Sequence, residues 1–262
     1  MTTTIALAGK GGVGKSTIAT MVIKYLVQTQ SGAVLAIDAD PSSNLHMTLG
    51  LEQEWTVGDI REGLLDQIKQ SLTAGGAAMG TLSGGVTKRE YLDYQIRASL
   101  AEGAHCDLIA MGRSEGPGCY CAVNHNLREV VDSISKNYRY VVIDNEAGME
   151  HLSRRTTRDV QALLIVTDPT QRGIVAAERI AGFRRELDIH IERAFLILND
   201  LAGETIPAPL QARIDALDIP LLGVVPHDER LAEFEYSGRP LFELGDDSPV
   251  YRAVAGMMQQ IL

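Results

Sequence analysis

Short apolar runs alternate with segments of helical period along the whole chain. This alternation is typical of strands that are joined by crossover helices into one sheet. Several of the runs are continuously apolar, as expected of strands that are covered on both faces. The sequence therefore predicts an α/β fold with a doubly wound, mostly parallel sheet and helices on both faces. The predicted strands are Thr4–Ala8, Ala33–Asp38, Asp107–Met111, Tyr140–Asp144, Leu163–Thr167, Ala194–Leu198 and Leu221–Val225.

Helices are predicted between these strands. They cover Ser16–Gln28, Val57–Lys69, Leu127–Ser135, Ile174–Arg185 and Pro207–Leu217, and a last helix opens at Ser248-Pro249, a cap residue followed by proline. The stretch Ser71–Gly103 has no clean period because glycine pairs interrupt it, so we treat it as a possible insertion of open role. With 262 residues, 45% of them hydrophobic, we expect a single domain over residues 1–262.

Charge and composition narrow the classes of function. A net charge of −10 and a pI near 5.1 argue against a nucleic-acid binder, which needs Lys and Arg to neutralise phosphates. A partner surface is then expected to be basic or to carry a metal. No apolar run approaches the ~18 residues that span a bilayer, and the N-terminus enters a strand directly. A cytoplasmic protein without membrane insertion is expected.

A phosphate-binding loop follows the first predicted strand and opens the first predicted helix. Its residues are Gly9, Lys10, Gly11, Gly12, Val13, Gly14, Lys15 and Ser16, with Thr17 next in the helix. Glycines let backbone N–H groups surround the phosphates, and the helix start adds its positive dipole end. We expect Lys15 to contact the β- and γ-phosphates of ATP, and the Ser16 hydroxyl to bind Mg²⁺.

Lys10 is an additional basic residue inside this loop. Lys15 alone meets the requirement of the motif, so Lys10 is free to reach a phosphate held by another subunit. The loop resembles that of the deviant-Walker ATPases, which include MinD and ParA proteins and the nitrogenase iron protein. The resemblance implies a catalytic role for Lys10 across a homodimer. The alternative is an exposed lysine that balances the net charge.

Two acidic segments follow predicted strands at the carboxyl edge of the sheet, where ligands gather in α/β folds. Asp38-Ala39-Asp40-Pro41 is similar to the first switch of the same family, and the segment that begins at Asp144 is similar to the second. This match implies that Asp40 activates the attacking water, and that Asp38 and Asp144 lie near Mg²⁺. The alternative is that these residues serve only as helix caps or turn residues.

The adenine pocket is expected at two later strand ends. By the same resemblance, Asn199 reads the adenine edge through its side-chain amide, and Pro226 and Asp228 form a second wall. An Asn-Asp pair at a strand end also suits a simple turn, which is the alternative.

Two of the three cysteines, Cys119 and Cys121, lie one residue apart in a Gly/Pro-rich segment. Two thiolates are too few for a closed tetrahedral site, but a symmetric dimer supplies four. Four thiolates suit Zn²⁺ or square-planar Ni²⁺. We interpret the pair as a metal site on the dimer axis, with burial in the core as the alternative. Cys106 is expected to be a packing residue. The sequence gives little indication that His125 joins a metal site or that His151 senses the nucleotide.

The combination of the glycine loop, Cys119-Tyr120-Cys121 and the segment from Asp144 to His151 resembles the CooC-type nickel-insertion ATPases of carbon monoxide dehydrogenase. The likeness extends from Thr4 to about Asp228. It implies a homodimer, closed by ATP and metal, that delivers nickel to this dehydrogenase or to acetyl-CoA synthase. The residues do not distinguish nickel from zinc, or one client enzyme from the other.

Two rival functions stand beside this interpretation. A MinD- or ParA-like spatial organiser needs a basic amphipathic tail or a basic surface, whereas the segment from Val250 to Leu262 contains one basic residue, Arg252. An ATP-driven reductase with a [4Fe–4S] cluster shared between subunits also uses four cysteines per dimer. In the iron protein, however, the two cysteines of each chain come from separate loops.

Overall fold

One parallel sheet organises the molecule. The computed structural model describes residues 2–73, 87–113, 121–146, 159–184, 189–203 and 205–262. Within these ranges the strands are β1 (Thr3–Gly9), β2 (Val34–Asp38), β3 (Asp107–Ala110), β4 (Tyr140–Asp144), β5 (Asp159–Thr167), β6 (His190–Leu201) and β7 (Leu221–Pro226). They pair in the order β3-β2-β4-β1-β5-β6-β7, and every pair is parallel. The predicted α/β fold with a doubly wound sheet is confirmed.

Helices connect these strands. In the described ranges they are α1 (Lys15–Thr29), α2 (Leu45–Leu49), α3 (Val57–Thr73), α4 (Lys88–Ala98), α5 (Cys121–Ser135), α6 (Gln171–Phe183), α7 (Ala208–Asp215), α8 (Glu229–Ser237) and α9 (Pro249–Ile261), with a 3-10 turn at Leu241–Glu243. The last helix begins at the predicted position, with Ser248 as its cap. Helix α5 begins six residues before the predicted Leu127, because the polar residues at 124–126 continue the helix instead of starting it.

The stretch from Ser71 to Gly103, which showed no clean helical or strand period in the sequence, contains a regular helix. Helix α4 starts with a capping box, in which the Thr87 hydroxyl accepts from the Glu90 N–H and the Glu90 carboxylate accepts from the Thr87 N–H. Leu92 and Ile96 of this helix are fully buried in the core. The segment around α4 therefore packs against α3 and α5 as part of the core, while residues 74–86 lie outside the described part.

The core has two layers, one on each face of the sheet. One face packs against α3 to α7, through residues such as Leu64, Val131 and Ile174. The other face packs against α1, α2 and α9, through residues such as Ile18, Leu45 and Val254. Because both faces are covered, β1, β2 and β4 are apolar along most of their length, and each polar side chain at a strand end stands out.

Helix α9 closes the second layer by packing its apolar side on α1. Its buried residues include Tyr251, Val254 and Met258. The buried Lys24 of α1 lies 4.9 Å from the centre of the Tyr251 ring and pairs with Asp246 at 3.0 Å. The helices of the described ranges include none that combines the length and the apolar character needed to cross a membrane.

Candidate functional site

The glycine-rich loop between β1 and α1 adopts a backbone that requires glycine. Gly12 and Gly14 have φ values of 79° and 86°, in the left-handed region that residues with a Cβ rarely adopt. A Cβ on Gly9 would lie 2.3 Å from the Val166 carbonyl oxygen of β5. Contact with β5 therefore requires glycine at position 9, and positive φ angles favour glycine at positions 12 and 14.

Lys15 stands at the first turn of α1 and is only 7% exposed. Its ammonium group lies 3.4 Å from the backbone carbonyl of Lys10, so the side chain turns back over the loop. Gly14, the cap residue, has no side chain to occupy the free N–H groups of the helix start. These donors and the buried ammonium are suited to bind phosphate, and the contact of Lys15 with a nucleotide stays a prediction.

A cavity of about 480 Å³ opens above this loop. The glycine loop forms its floor, and residues after β2 form one wall. The opposite wall comes from the end of α8 and the turn after it. The lining residues are Gly11, Gly12, Gly14, Lys15, Ser16 and Thr17 from the loop, Asp40, Asn44, Met47 and Thr48 from the first wall, and Phe234, Glu235, Gly238, Arg239 and Leu241 from the second.

The wall formed by the end of α8 and the turn after it was not predicted from the sequence, which placed a second wall at Pro226 and Asp228 instead. The Arg239 guanidinium lies 4.2 Å from the centre of the Phe234 ring and 3.6 Å from a Glu243 carboxylate oxygen. These contacts orient Arg239 at the edge of the cavity. No motif of spacing identifies such a wall, because it depends on where α8 packs after β7.

Asp144 ends β4 directly beside the phosphate loop. Its Oδ2 accepts a hydrogen bond from the Ser16 hydroxyl at 2.5 Å. Its Oδ1 is buried and has no partner among the described residues. Burial raises the pKa of Asp144 to about 7, with the Ser16 hydrogen bond and the Lys15 charge acting against the shift.

Asp38 ends β2, in register with Asp144 on the neighbouring strand. Its two carboxylate oxygens accept from the backbone N–H groups of Asp40, at 3.0 Å, and Leu45, at 2.9 Å. Burial raises the pKa of Asp38 as well, although these two hydrogen bonds oppose the shift. The two buried carboxyls thus lie at adjacent strand ends, where the charge of Asp38 also raises the pKa of Asp144.

This arrangement fits a bound Mg²⁺. The unpartnered Oδ1 of Asp144 needs a hydrogen-bond donor or a cation, and an all-oxygen set of hydroxyl and carboxylates is what Mg²⁺ prefers. Ser16 and Asp144 are in contact, and Asp38 lies one strand away. These three residues would hold the ion, and this role stays a prediction.

Asp40 lines the cavity and is shaped by its own turn. Its side chain accepts from the Ser42 N–H at 2.8 Å, and its carbonyl accepts from the Ser43 N–H at 3.0 Å. Ser43 has a φ of 47°, an uncommon conformation for a residue that is not glycine. The turn brings Asp40 into the phosphate cavity, and its role in activating water stays a prediction.

The predicted adenine residues make contacts within the protein. The Asn199 amide donates to the Val13 carbonyl at 2.8 Å and so supports the phosphate loop. Asp228 caps α8 and accepts from the Ser248 hydroxyl at 2.9 Å, and Pro226 ends β7. These contacts give Asn199 and Asp228 structural roles, and base recognition by these residues stays a prediction.

Only part of the cysteine segment falls within the described structure. Cys119 and His151 lie outside it, and Cys121 is the first residue of α5. The chain enters this segment from β3, whose end, Ala110, is in register with Asp38. The next residue, Met111, donates its N–H to the Asp38 carbonyl at 2.7 Å. The segment that carries the cysteines therefore leaves the sheet at the same edge as the two carboxyls.

Cys106 lies before β3 and is buried in the core. Burial raises the pKa of its thiol to about 12, so it carries no charge near neutral pH. The structure thus agrees with its prediction as a packing residue.

A family model describes most of this chain. The CobQ/CobB/MinD/ParA nucleotide binding domain matches residues 4–241. This range contains the phosphate loop, both strand-end carboxyls and the α8 wall.

Two curated proteins are similar to the chain over nearly its full length. An ATP-binding protein of Methanocaldococcus jannaschii is 39% identical over 262 residues, covering 98% of each chain. The carbon monoxide dehydrogenase accessory protein CooC of Rhodospirillum rubrum is 31% identical over 261 residues, covering 98% of this chain and 95% of CooC.

A solved structure shows the same fold. The septum site-determining protein MinD of Pyrococcus horikoshii, complexed with Mg-ADP, superposes with a TM-score of 0.67. It is 21% identical, and the match covers 100% of this chain and 96% of the other.

Proposed function

Because the chain belongs to the CobQ/CobB/MinD/ParA family of nucleotide-binding proteins, we propose that it is an ATP-hydrolysing metallochaperone. It dimerises with ATP, binds nickel through Cys119 and Cys121 of both subunits, and delivers the metal to carbon monoxide dehydrogenase or acetyl-CoA synthase. The observation that carries this proposal is the pairing of a Cys-x-Cys segment with 31% identity to CooC over 98% of the chain.

The ATPase part rests on the phosphate cavity. Lys15 and the N–H groups at the start of α1 would bind the phosphates, and Ser16, Asp38 and Asp144 would hold Mg²⁺. When bound, Mg²⁺ neutralises charge on the β- and γ-phosphate oxygens. Asp40 orients a water whose oxygen bonds to the γ-phosphorus while the bond to the bridging oxygen breaks. ADP keeps that bridging oxygen, and the proton of the water leaves with the phosphate or to solvent.

Lys10 gives a physical reason for a dimer. Its side chain is exposed at the rim of the loop, whereas Lys15 is buried in it. An exposed ammonium at that place can reach the γ-phosphate of a facing subunit, and it loses that contact when the phosphate leaves. ATP thus favours the closed dimer, and hydrolysis favours its opening.

The metal site at Cys119 and Cys121 is coupled to the nucleotide through the carboxyl edge of the sheet. The segment with the two cysteines begins at Met111, which is bonded to the backbone of Asp38. A change in the turn from Asp38 to Asp40 on hydrolysis acts directly on the start of that segment. Opening of the dimer separates the two Cys119/Cys121 pairs, so four-thiolate binding of the metal is lost.

The structure gives evidence on one rival function, a spatial organiser that binds a membrane through its last helix. Helix α9 buries its apolar face against α1 and β7. That face is therefore unavailable to a membrane, which favours the carrier over this rival.

The test measures metal content and oligomeric mass of the reduced protein under anaerobic conditions, with ATP and with ADP. We expect one nickel per ATP-dependent dimer, and loss of this nickel in Cys119→Ala/Cys121→Ala. Cys106→Ala is the matched control, since its thiol is buried in the core. A dimer that binds nickel equally well with ATP, ADP or no nucleotide would contradict the coupling.

Two further results would replace the carrier by another function. ATP-dependent dimers without cysteine-dependent nickel would leave only the ATPase. A brown protein that absorbs near 400 nm would indicate the iron–sulfur reductase.

A further inference from the structure

A second cavity, of about 300 Å³, lies between the start of α3 and the helix α4. We call it the α3–α4 groove. None of its lining residues lines the phosphate cavity. They are Glu54, Trp55, Asp59, Ile60, Gly63, Tyr91, Gln95, Ala98 and Ser99.

Two aromatic side chains border the groove. Trp55, the single tryptophan of the chain, is 60% exposed, although a side chain of this kind is normally covered. Tyr91 lies on α4 across from it, and its hydroxyl accepts from the Gln67 side chain at 3.1 Å. That hydrogen bond fixes one aromatic wall, and the groove presents two ring systems to solvent.

Two carboxylates lie beside these rings. Asp59 is held by the cap of α3, because its Oδ2 accepts from the N–H and the hydroxyl of Thr56 at 2.8 and 2.7 Å. Its Oδ1, in the described part of the chain, has no such partner. Glu54 is exposed and makes no hydrogen bond or ion pair with any described residue. The groove therefore combines aromatic faces with negative charge that no described residue neutralises.

We propose that the α3–α4 groove binds an arginine side chain from a basic segment of a partner protein. A guanidinium stacks on the faces of Trp and Tyr and bonds to carboxylates with its planar edge. Arginine is enriched in protein interfaces for these reasons. The net charge of −10 also attracts a basic partner before contact. The groove shares no lining residue with the phosphate cavity, so the proposal goes beyond the proposed function.

Gly63 gives a steric way to close the groove. A Cβ at this position would meet no atom within 4 Å, so the space above the helix is open. Gly63→Leu extends a side chain into that space, while Gly63→Ala adds only one methyl group. Both changes also favour the helical backbone of α3. The pair separates filling of the groove from any effect on folding.

The test uses the emission of Trp55 during titration with a hexa-arginine peptide at about 0.15 M salt, where contacts between distant charges are screened. A hexa-citrulline peptide is the neutral probe of the same shape. We expect a saturable change with the arginine peptide only. Glu54→Gln is expected to weaken binding about 3- to 10-fold, and Gly63→Leu at least 10-fold. Gly63→Ala and Glu178→Gln, which removes one exposed charge from α6, are expected to bind as wild type does.

Three results would overturn the proposal. Equal weakening by Glu178→Gln and Glu54→Gln would indicate general attraction to an acidic surface. Unchanged binding by Gly63→Leu would place the peptide outside the groove. A response to hexa-citrulline of the same size would show that the positive charge is not recognised. Circular dichroism of each variant checks that it is folded.

Discussion

The phosphate cavity and the α3–α4 groove both present carboxylates, but the two sites hold them in different ways. Asp38 and Asp144 are each 1% exposed, and both accept hydrogen bonds from the protein. In the groove, Glu54 and Asp59 are exposed. The first site lies where parallel strands end inside the molecule, and the second lies between two surface helices.

Because of this difference, we expect the phosphate cavity to hold a cation in a preformed site and the groove to bind its partner through weaker surface contacts. A buried carboxylate has lost its hydration, so a cation that reaches it gains a strong interaction. An exposed carboxylate remains hydrated, and its interactions are weaker and sensitive to salt. We therefore expect changes in the phosphate cavity to have large effects on binding and stability, and changes in the groove to have small ones.

The largest effect is expected from Lys15→Ala. This change removes the buried ammonium over the glycine loop, so the phosphates lose a charge-assisted interaction. We expect the affinity for Mg-ATP to fall about 100-fold or more, measured by titration calorimetry. Lys136→Ala, which removes an exposed lysine after α5, is the control. An Lys15→Ala protein that binds Mg-ATP within 3-fold of wild type would refute this role.

Asp144→Asn is expected to change how the stability of the protein depends on pH. In the nucleotide-free protein, the native Asp144 keeps its proton to about pH 7, while the unfolded chain releases it near the ordinary value of 3.8. Stability contributed by this group is present at low pH and is lost as the pH rises through that window. An asparagine side chain cannot ionise, so the variant is expected to be more stable than wild type at pH 8, by roughly 1–4 kcal/mol.

Urea unfolding at pH 5 and pH 8 checks this expectation, and the gain in stability must shrink at pH 5. Glu54→Gln is the exposed counterpart and is expected to change stability by less than about 0.5 kcal/mol. Wild-type affinity for Mg-ATP is expected to rise with pH toward 8, because Mg²⁺ needs the carboxylate. The same pH dependence in the Asp144→Asn protein would exclude Asp144 as its source.

The smallest of these effects is expected from Asn199→Ala, which removes the bond to the Val13 carbonyl and loosens the phosphate loop. We expect ATP affinity to fall about 5-fold, in line with one hydrogen bond. Titration with both ATP and GTP distinguishes the two roles of Asn199. Equal losses would indicate support of the loop, and a loss confined to ATP would indicate recognition of adenine. Asn137→Ala, in an exposed turn, is the control.

The sequence predicted the strand ends that carry this chemistry. Strands β2 and β4 end at Asp38 and Asp144, at the predicted positions, because a continuously apolar run stops at a carboxylate. The boundaries of β6 were less accurate. It extends from His190 to Leu201, beyond the predicted Ala194–Leu198. Its pairing with β5 begins at His190 and includes charged residues, and its pairing with β7 continues to Leu201.

The local sequence pattern did not predict the starts of helices α5 and α4. The sequence predicted a helix that begins at Leu127, whereas α5 already begins at Cys121. The sequence contains the capping-box pattern of Thr87 and Glu90 at the start of α4, but no helix was predicted there, because the glycine pairs before it interrupt the helical period. A capping pattern can mark a helix start where periodicity does not.

What the sequence by itself determined was local: the glycines that free the loop, the lysine that follows them, and the carboxylates that end two strands. Their convergence followed from the rule that parallel strands bring their carboxyl ends to one edge. Only the tertiary structure decided the burial that raises the pKa of Asp144, the α8 wall with Arg239, and the approach of Tyr91 to Trp55. These features join residues far apart in the chain, and burial and contact at such distances depend on the packing of whole helices.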